Sequence, residues 1–109
     1  MAEQKKEMLA IALDNAKRDL QTQIKQVASA HSRDNGPFEL EMDLYEKQDR
    51  SIAGKNDALI SQIHMLIDAF SMHAAVQEAG VRVQRVGVID SDGDGEAAVN
   101  VMFDHAGYD

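Results

Sequence analysis

The fold is decided by a short stretch of sequence, Phe38-Glu39-Leu40-Glu41-Met42-Asp43-Leu44-Tyr45, in which apolar and acidic residues alternate. Side chains point alternately to the two faces of a strand, so this period of two predicts a strand over residues 38–45 with its apolar side chains towards the core. The acidic side chains Glu39, Glu41 and Asp43 then form a ladder on the solvent side, spaced by about 6.6 Å. The apolar face of this strand has to be covered by other parts of the chain.

A long helix is predicted on the N-terminal side, over residues 3–30. Its apolar residues recur at helical spacing: they are Leu9, Leu13, Ala16, Leu20, Ile24 and Val27. A helix of this length spans about 42 Å at about 1.5 Å per residue. A compact domain of this size is only about 27 Å across. We therefore expect the helix to project from the domain or to be shared with a second copy of the chain.

A second helix is predicted over residues 57–79, with Asp57 as its N-cap and Gly80 as its C-terminal stop. Apolar residues lie on two of its faces, and Met65 and Met72 belong to the second face. A helix that is apolar on two faces is usually buried on both. We therefore expect this helix to lie between the sheet and a first helix, either its own or that of a partner.

Two valine-rich strands follow, over residues 81–89 and 97–103. The residues between them, Asp90-Ser91-Asp92-Gly93-Asp94-Gly95, are typical of a turn, so residues 81–104 are predicted to form a hairpin. The valines of the first strand change face along its length. A bulge near Arg85 or Gly87 would reconcile the two halves of that strand.

The remaining segments are predicted to be irregular. Residues 46–56 are polar without a clear period and are predicted to form a loop, and residues 105–109 are predicted to form a frayed tail. The fold class is α+β: a single two-layer domain over residues 1–109, in the order helix-strand-helix-strand-strand. A small, mainly antiparallel sheet of three strands is expected to be covered by helices on one face.

The charge balance limits the classes of molecule that we expect the protein to bind. Nineteen acidic residues against eleven basic ones give a net charge of −8, and fifteen of the acids lie from residue 34 onward. Such a field repels nucleic acid and anionic membrane surfaces, so we expect no direct binding to either and favour a protein with a basic surface as partner. The chain has no cysteine, which excludes disulfides and thiolate sites. No stretch resembles a signal peptide or a membrane span, so a cytoplasmic protein is expected.

The turn between the last two strands carries a partial metal-binding pattern. Asp90, Asp92, Asp94 and Gly95 match the first half of an EF-hand calcium loop. The second half fails, because Val101 stands where that loop has a bidentate Glu and because the flanking segments are predicted strands. Ca²⁺ is the only cofactor that the sequence suggests, although Asp and Gly also form such turns without any metal.

One acid–base pair lies on the second predicted helix. His64 and Asp68 are four residues apart, so they could share a metal or act together in proton transfer. A zinc site needs a third protein ligand, none is recognisable, and a solvated helix face is the simpler interpretation. The common phosphate-binding, dinucleotide-binding and hydrolase motifs are absent from the sequence. We therefore expect a protein that is not an enzyme.

These observations favour a small acidic, non-enzymatic protein–protein interaction module. Its most specific form is an inhibitor that mimics DNA and uses Glu39, Glu41 and Asp43 to occupy the basic surface of a nucleic-acid-binding protein. A calcium-binding or calcium-stabilised module through residues 90–94 is the alternative. A small enzyme or small-molecule binder that uses His64 and Asp68 is a third hypothesis.

A homodimer is also expected, because the narrow apolar stripe of the first helix suits a helix–helix seam. Methionines on the second helix add side chains that repack easily at an interface. The predicted dimer interface consists of Leu9, Leu13, Leu20, Ile24, Met65 and Met72.

Overall fold

Seven helices and strands make up the structure of residues 2–52 and 56–105 in a computed structural model. They are α1 (Ala2–Asn35), β1 (Phe38–Asp43), β2 (Gln48–Ile52), α2 (Asp57–Ser71), α3 (Ala74–Ala79), β3 (Val81–Asp90) and β4 (Ala98–His105). The strands form one antiparallel sheet in the order β2-β1-β3-β4. The predicted α+β class, with a layer of helices on a small antiparallel sheet, is confirmed.

The alternating stretch forms β1 over Phe38–Asp43, two residues shorter than predicted, because Leu44 and Tyr45 already belong to the turn before β2. Phe38, Leu40 and Met42 are buried, whereas the acidic residues between them are exposed or half-buried. The neighbouring strand β3 buries valines on both sides of a register shift between Val83 and Arg85. This irregularity confirms the predicted bulge near Arg85 and keeps all of those valines on the core side.

The strand β2 lies inside the segment predicted to be a loop. Its residues Gln48–Ile52 pair with β1, so the sheet has four strands rather than the predicted three. Residues 48–51 are exposed, because β2 is an edge strand that lies beyond the cover of the helices. Such a strand needs no apolar alternation, and the sequence pattern therefore missed it. Of the predicted frayed tail, His105 ends β4, and residues 106–109 lie outside the described part of the chain.

The helices differ from the predicted ones at their ends. The helix α1 continues past residue 30 to Asn35 and ends at Gly36, whose φ of 87° is a left-handed conformation that glycine adopts readily. The predicted helix over residues 57–79 is broken into α2 and α3. His73 separates them with extended backbone, and its Nδ1 accepts a hydrogen bond from Ala75 N–H at 3.3 Å. Gly80 ends α3 with a φ of 68°, as expected.

The core is formed between the helices and one face of the sheet. The helix α1 contacts the strands β3 and β4 as well as α2 and α3. The helix α2 therefore lies beside α1 in the same layer, and the predicted position between the sheet and the first helix of the same protomer is wrong. The alternative, in which the helix of a partner covers α2, stays a prediction. Leu20 and Ile24 are 2% and 0% exposed, so they pack inside the protomer and do not belong to an exposed dimer seam.

The helix α1 sets the length of the molecule. Its 34 residues at about 1.5 Å each match the longest dimension of 51 Å, which exceeds the other dimensions of 26 and 19 Å. The N-terminal turns of α1 therefore extend along the long axis with little cover.

Candidate functional site

The face of the sheet opposite the helices is uncovered within the described part of the chain, and we call it the open face. The strand register arranges its side chains in rows across the strands. One row consists of Arg50, Glu41, Gly87 and Asn100, and the next consists of Gln48, Asp43, Arg85 and Met102. The predicted acidic ladder therefore runs along β1 through the interior of this face.

Glu39 and Glu41 are the two free carboxylates of the ladder. Both are exposed, and neither side chain has a hydrogen bond or ion pair to residues 2–52 or 56–105. Each carboxylate is therefore available to an external cation. Arg50 stands opposite Glu41 on the edge strand β2 without contacting it as an ion pair.

Asp43 differs from the other two members of the ladder, because its carboxylate is used inside the fold. Its Oδ1 accepts hydrogen bonds from the backbone N–H groups of Tyr45 and Glu46 at 3.0 Å each, and its Oδ2 lies 3.5 Å from Arg85 Nε. The Glu46 hydrogen bond is the main cause that lowers the pKa of Asp43. Asp43 therefore holds the turn after β1, a role that Asp commonly has before a turn.

Arginines interrupt the negative charge of the open face. Arg85 pairs with Asp43, Arg50 stands opposite Glu41, and Arg82 lies on β3 beyond the bulge. The sequence pattern did not reveal this, because Arg50 fell in a predicted loop and the bulge decides the faces of the other two. The open face is therefore of mixed charge rather than the uniform negative row that a DNA mimic was expected to present.

A cluster of Tyr45, Arg82 and Asp104 lies at one end of the open face. Tyr45 Oη donates a hydrogen bond to Asp104 Oδ2 at 2.6 Å, and the Arg82 guanidinium carbon lies 5.0 Å from the centre of the Tyr45 ring. This hydrogen bond is the main cause that raises the pKa of Tyr45 and lowers that of Asp104. The cluster holds an exposed tyrosine in place. Sequence analysis missed it, because its three residues are far apart in the chain.

Two shallow depressions mark the open face. One, of about 180 Å³, lies between the charged side chains Glu41, Asp43, Arg50 and Arg85. The other, of about 320 Å³, lies over Gly87, where the lack of a side chain leaves room beside Ile89 and Asn100. Small-molecule sites are typically clefts of about 300–1,000 Å³ that enclose the ligand. These open depressions fit protruding side chains of a protein better than an enclosed ligand.

The carboxylate of Asp90, the first residue of the calcium-like pattern, is buried and ties the loop before β4 to α1. Its Oδ2 accepts hydrogen bonds from the Ser32 hydroxyl and from Gly95 N–H, the latter at 3.1 Å, and its Oδ1 accepts one from Gly93 N–H at 2.8 Å. The Ser32 hydrogen bond is the main cause that lowers the pKa of Asp90. These bonds give the Asp–Gly pattern a structural role that needs no metal.

The other carboxylates of the calcium-like pattern do not converge with Asp90. Asp94 Oδ1 accepts a hydrogen bond from Glu96 N–H at 2.9 Å, and Asp92 is exposed. No group of three or more His, Asp or Glu residues in residues 2–52 and 56–105 is arranged to hold a metal ion. Calcium binding stays a prediction.

The candidate acid–base pair on α2 is not joined. His64 is half-buried and Asp68 is exposed, and no hydrogen bond or ion pair links the two side chains. The hypothesis that this pair carries chemistry gains no geometric support, and the expectation that the protein is not an enzyme stays a prediction.

The remaining predicted interface residues divide by exposure. Leu9 and Leu13 of α1 are half-buried, whereas Met65 of α2 and Met72, its C-cap, project into solvent. Two further exposed apolar residues on α1, Met8 and Ile11, were not predicted, because they lie outside the apolar stripe that sequence spacing reveals.

No helix in the described ranges is both long enough and apolar enough to span a membrane. Comparisons of the chain with models of protein families, with curated proteins and with solved structures give no match. Function is therefore inferred from the geometry of the surface alone.

Proposed function

We propose that this protein acts in the cytoplasm as an acidic, non-enzymatic interaction module whose open face docks on a basic surface of another protein. One observation carries the proposal: Glu39 and Glu41 stand exposed and unpaired on a sheet face that the helices leave uncovered. Both carboxylates can accept charge-assisted hydrogen bonds from Lys or Arg side chains, which are stronger than bonds between neutral groups.

Apolar side chains beside the carboxylates would anchor such a partner. Tyr45, Ile89 and Met102 are 42%, 40% and 46% exposed on the open face. Aromatic and aliphatic anchors supply most of the affinity of protein interfaces, whereas charges at the rim mainly set association rate and specificity. The net charge of −8 would speed the encounter with a basic partner and would make it sensitive to salt.

Arg50 and Arg85 set a further requirement for the charges on the surface of the partner. Because these side chains lie among the acids, a matching surface needs its own acidic groups opposite them, and a uniformly basic surface would be repelled locally. Proteins that bind nucleic acid carry strong basic patches. As the most specific form of the function, we propose an inhibitor that covers the edge of such a basic patch, where acidic groups of the partner can face Arg50 and Arg85, with no direct contact to nucleic acid.

Affinity capture tests this proposal. The chain is used as bait in a lysate of its source cells, and bound protein is eluted with a salt gradient. We expect one partner in near-stoichiometric amount, released at moderate salt and lost with Glu39→Gln/Glu41→Gln.

The matched control is Asp92→Asn/Glu96→Gln, which removes the same charge from exposed sites in the loop between β3 and β4. This control should retain the partner. Equal retention by both double variants would contradict a role for the open face.

A further inference from the structure

Four large apolar side chains project from the helix layer. Met8 and Ile11 on α1 are 69% and 62% exposed, and Met65 and Met72 on α2 are 70% and 77% exposed. These values exceed those of the apolar side chains on the open face. Single exposed apolar residues are ordinary, but a group on adjoining helices is typical of an interaction surface.

The spacing along each helix directs these side chains away from the core. Ile11 lies nine residues from the buried Leu20, which is two and a half turns, so the two residues point to opposite sides of α1. Met72 is the C-cap of α2 and keeps helical backbone angles, so it lies on the same side as Met65, seven residues and about 10.5 Å along the axis. The buried residues of α2 lie on its other side; they are Leu59, Ile63, Ile67 and Phe70.

The two helices are antiparallel neighbours, so their outer sides lie side by side. His31 Nε2 near the end of α1 lies 2.7 Å from Asn56 Oδ1, which is at the start of α2. Farther along, residues 16–23 of α1 and residues 66–73 of α2 line a shared groove. We call the outer sides of α1 and α2 with Met8, Ile11, Met65 and Met72 the methionine surface.

The N-terminal part of α1 lacks sufficient cover within one protomer. Residues 8–13 read Met-Leu-Ala-Ile-Ala-Leu and are apolar on every side of the helix. A helix that is apolar all round is normally buried all round. In the protomer, Met8, Ala10 and Ile11 are exposed, and Leu9 is only half-buried.

The charges of the two helices are complementary to each other. The helix α1 carries six basic and five acidic residues, whereas residues 57–79 carry three acids and no base. The acids are Asp57, Asp68 and Glu78, and all three are exposed. The net charge is therefore +1 for α1 and −3 for residues 57–79. Basic side chains of α1 from one copy can face these acids of another copy, and a twofold axis makes this contact twice.

We propose that a second copy of this chain covers the methionine surface, in a twofold homodimer in which α1 of each protomer packs against α2 of its partner. Methionine side chains suit this contact because they adapt their shape to the facing helix. The helix layer lies opposite the open face, so both open faces of the dimer point outward. The dimer is then bivalent, and a partner with two sites gains avidity without any new contact.

Light scattering after size-exclusion chromatography tests the dimer. The wild-type chain should have twice the protomer mass of 12.0 kDa. Met65→Lys/Met72→Lys should have the mass of one protomer, and Ile11→Lys should weaken the dimer independently from the other helix. All three positions are exposed, so circular dichroism should show an intact fold in each variant.

The matched control for Ile11→Lys is Met102→Lys, which places one positive charge on the open face. It should leave the dimer intact, as should Glu39→Gln/Glu41→Gln, so failure of the proposed function would not affect this result. A wild-type mass of one protomer at all concentrations would overturn the proposal. A dimer that survives Met65→Lys/Met72→Lys, or that dissociates with Met102→Lys, would also overturn it.

Discussion

The hydroxyl group of Ser32, near the end of α1, donates a hydrogen bond to the buried carboxylate of Asp90, at the end of β3. The same carboxylate accepts the N–H groups of Gly93 and Gly95, so one side chain fixes the loop and attaches it to the helix layer. This contact gives the Asp–Gly pattern a role in folding that needs no metal.

The stability of the fold should depend on pH through Asp90. Its pKa lies below the ordinary 3.8 in the folded chain and returns to that value on unfolding. The unfolded chain therefore binds more protons between the two values, so the free energy of unfolding is highest above about pH 4 and falls as the pH is lowered further. Asp43 and Asp104, whose pKa values are also lowered, add to this trend.

The variant Ser32→Ala should identify the contribution of this contact. It removes the largest cause of the lowered pKa of Asp90. The variant should therefore be less stable than wild type near neutral pH. Its free energy of unfolding should also fall less than that of wild type when the pH is lowered. Urea denaturation from about pH 7 to about pH 3 measures the free energy of unfolding of wild type and of the variant as a function of pH. A constant difference between the two curves at every pH would contradict the role of Asp90.

The calcium alternative predicts that Ca²⁺ stabilises the folded chain through the loop before β4. If Asp90, Asp92 and Asp94 bound Ca²⁺ in the folded chain, calcium would raise the melting temperature by mass action, and Asp92→Asn would abolish the rise. The structural role of Asp90 predicts equal melting curves in calcium and in chelator. Differential scanning calorimetry separates the two, since a calcium-dependent shift that Asp92→Asn removes would restore the metal hypothesis.

The core position of Ile24 leads to a stability prediction. Ile24→Ala should lower the free energy of unfolding by about 2–5 kcal/mol, because it opens a cavity in a fully buried site. Gln62→Ala, at an exposed position of α2, should change it by less than about 0.5 kcal/mol. Chemical denaturation measures both, and a small effect of Ile24→Ala would argue against its place in the protomer core.

Sequence periodicity predicted the parts of the fold that local burial controls. The alternation in β1, the bulge near Arg85 and the stop at Gly80 all follow from one face being buried or from one conformation being required. The edge strand β2 was missed because residues 48–51 are exposed and carry no such pattern. The break at His73 was missed because apolar residues continue through it.

The candidate surface was only partly predictable, because its chemistry depends on contacts between distant residues. The alternation in β1 placed Glu39 and Glu41 correctly, but the pairing of Asp43 with Arg85 depends on the register of β3. The narrow apolar stripe of α1 is also compatible with two kinds of packing. The same spacing serves a dimer seam or a protomer core, and only the position of the sheet assigns Leu20 to the core.

The central claim is that the free carboxylates of the open face bind a basic partner. The most direct test is isothermal titration of the captured partner into wild type, Glu39→Lys/Glu41→Lys and the matched control Asp92→Lys/Glu96→Lys, whose sites are exposed in the loop between β3 and β4. We predict that charge reversal on the open face weakens binding by about tenfold or more, equivalent to ~1.4 kcal/mol, and that the control is affected far less. Equal affinities for wild type and the Glu39→Lys/Glu41→Lys variant would contradict the account.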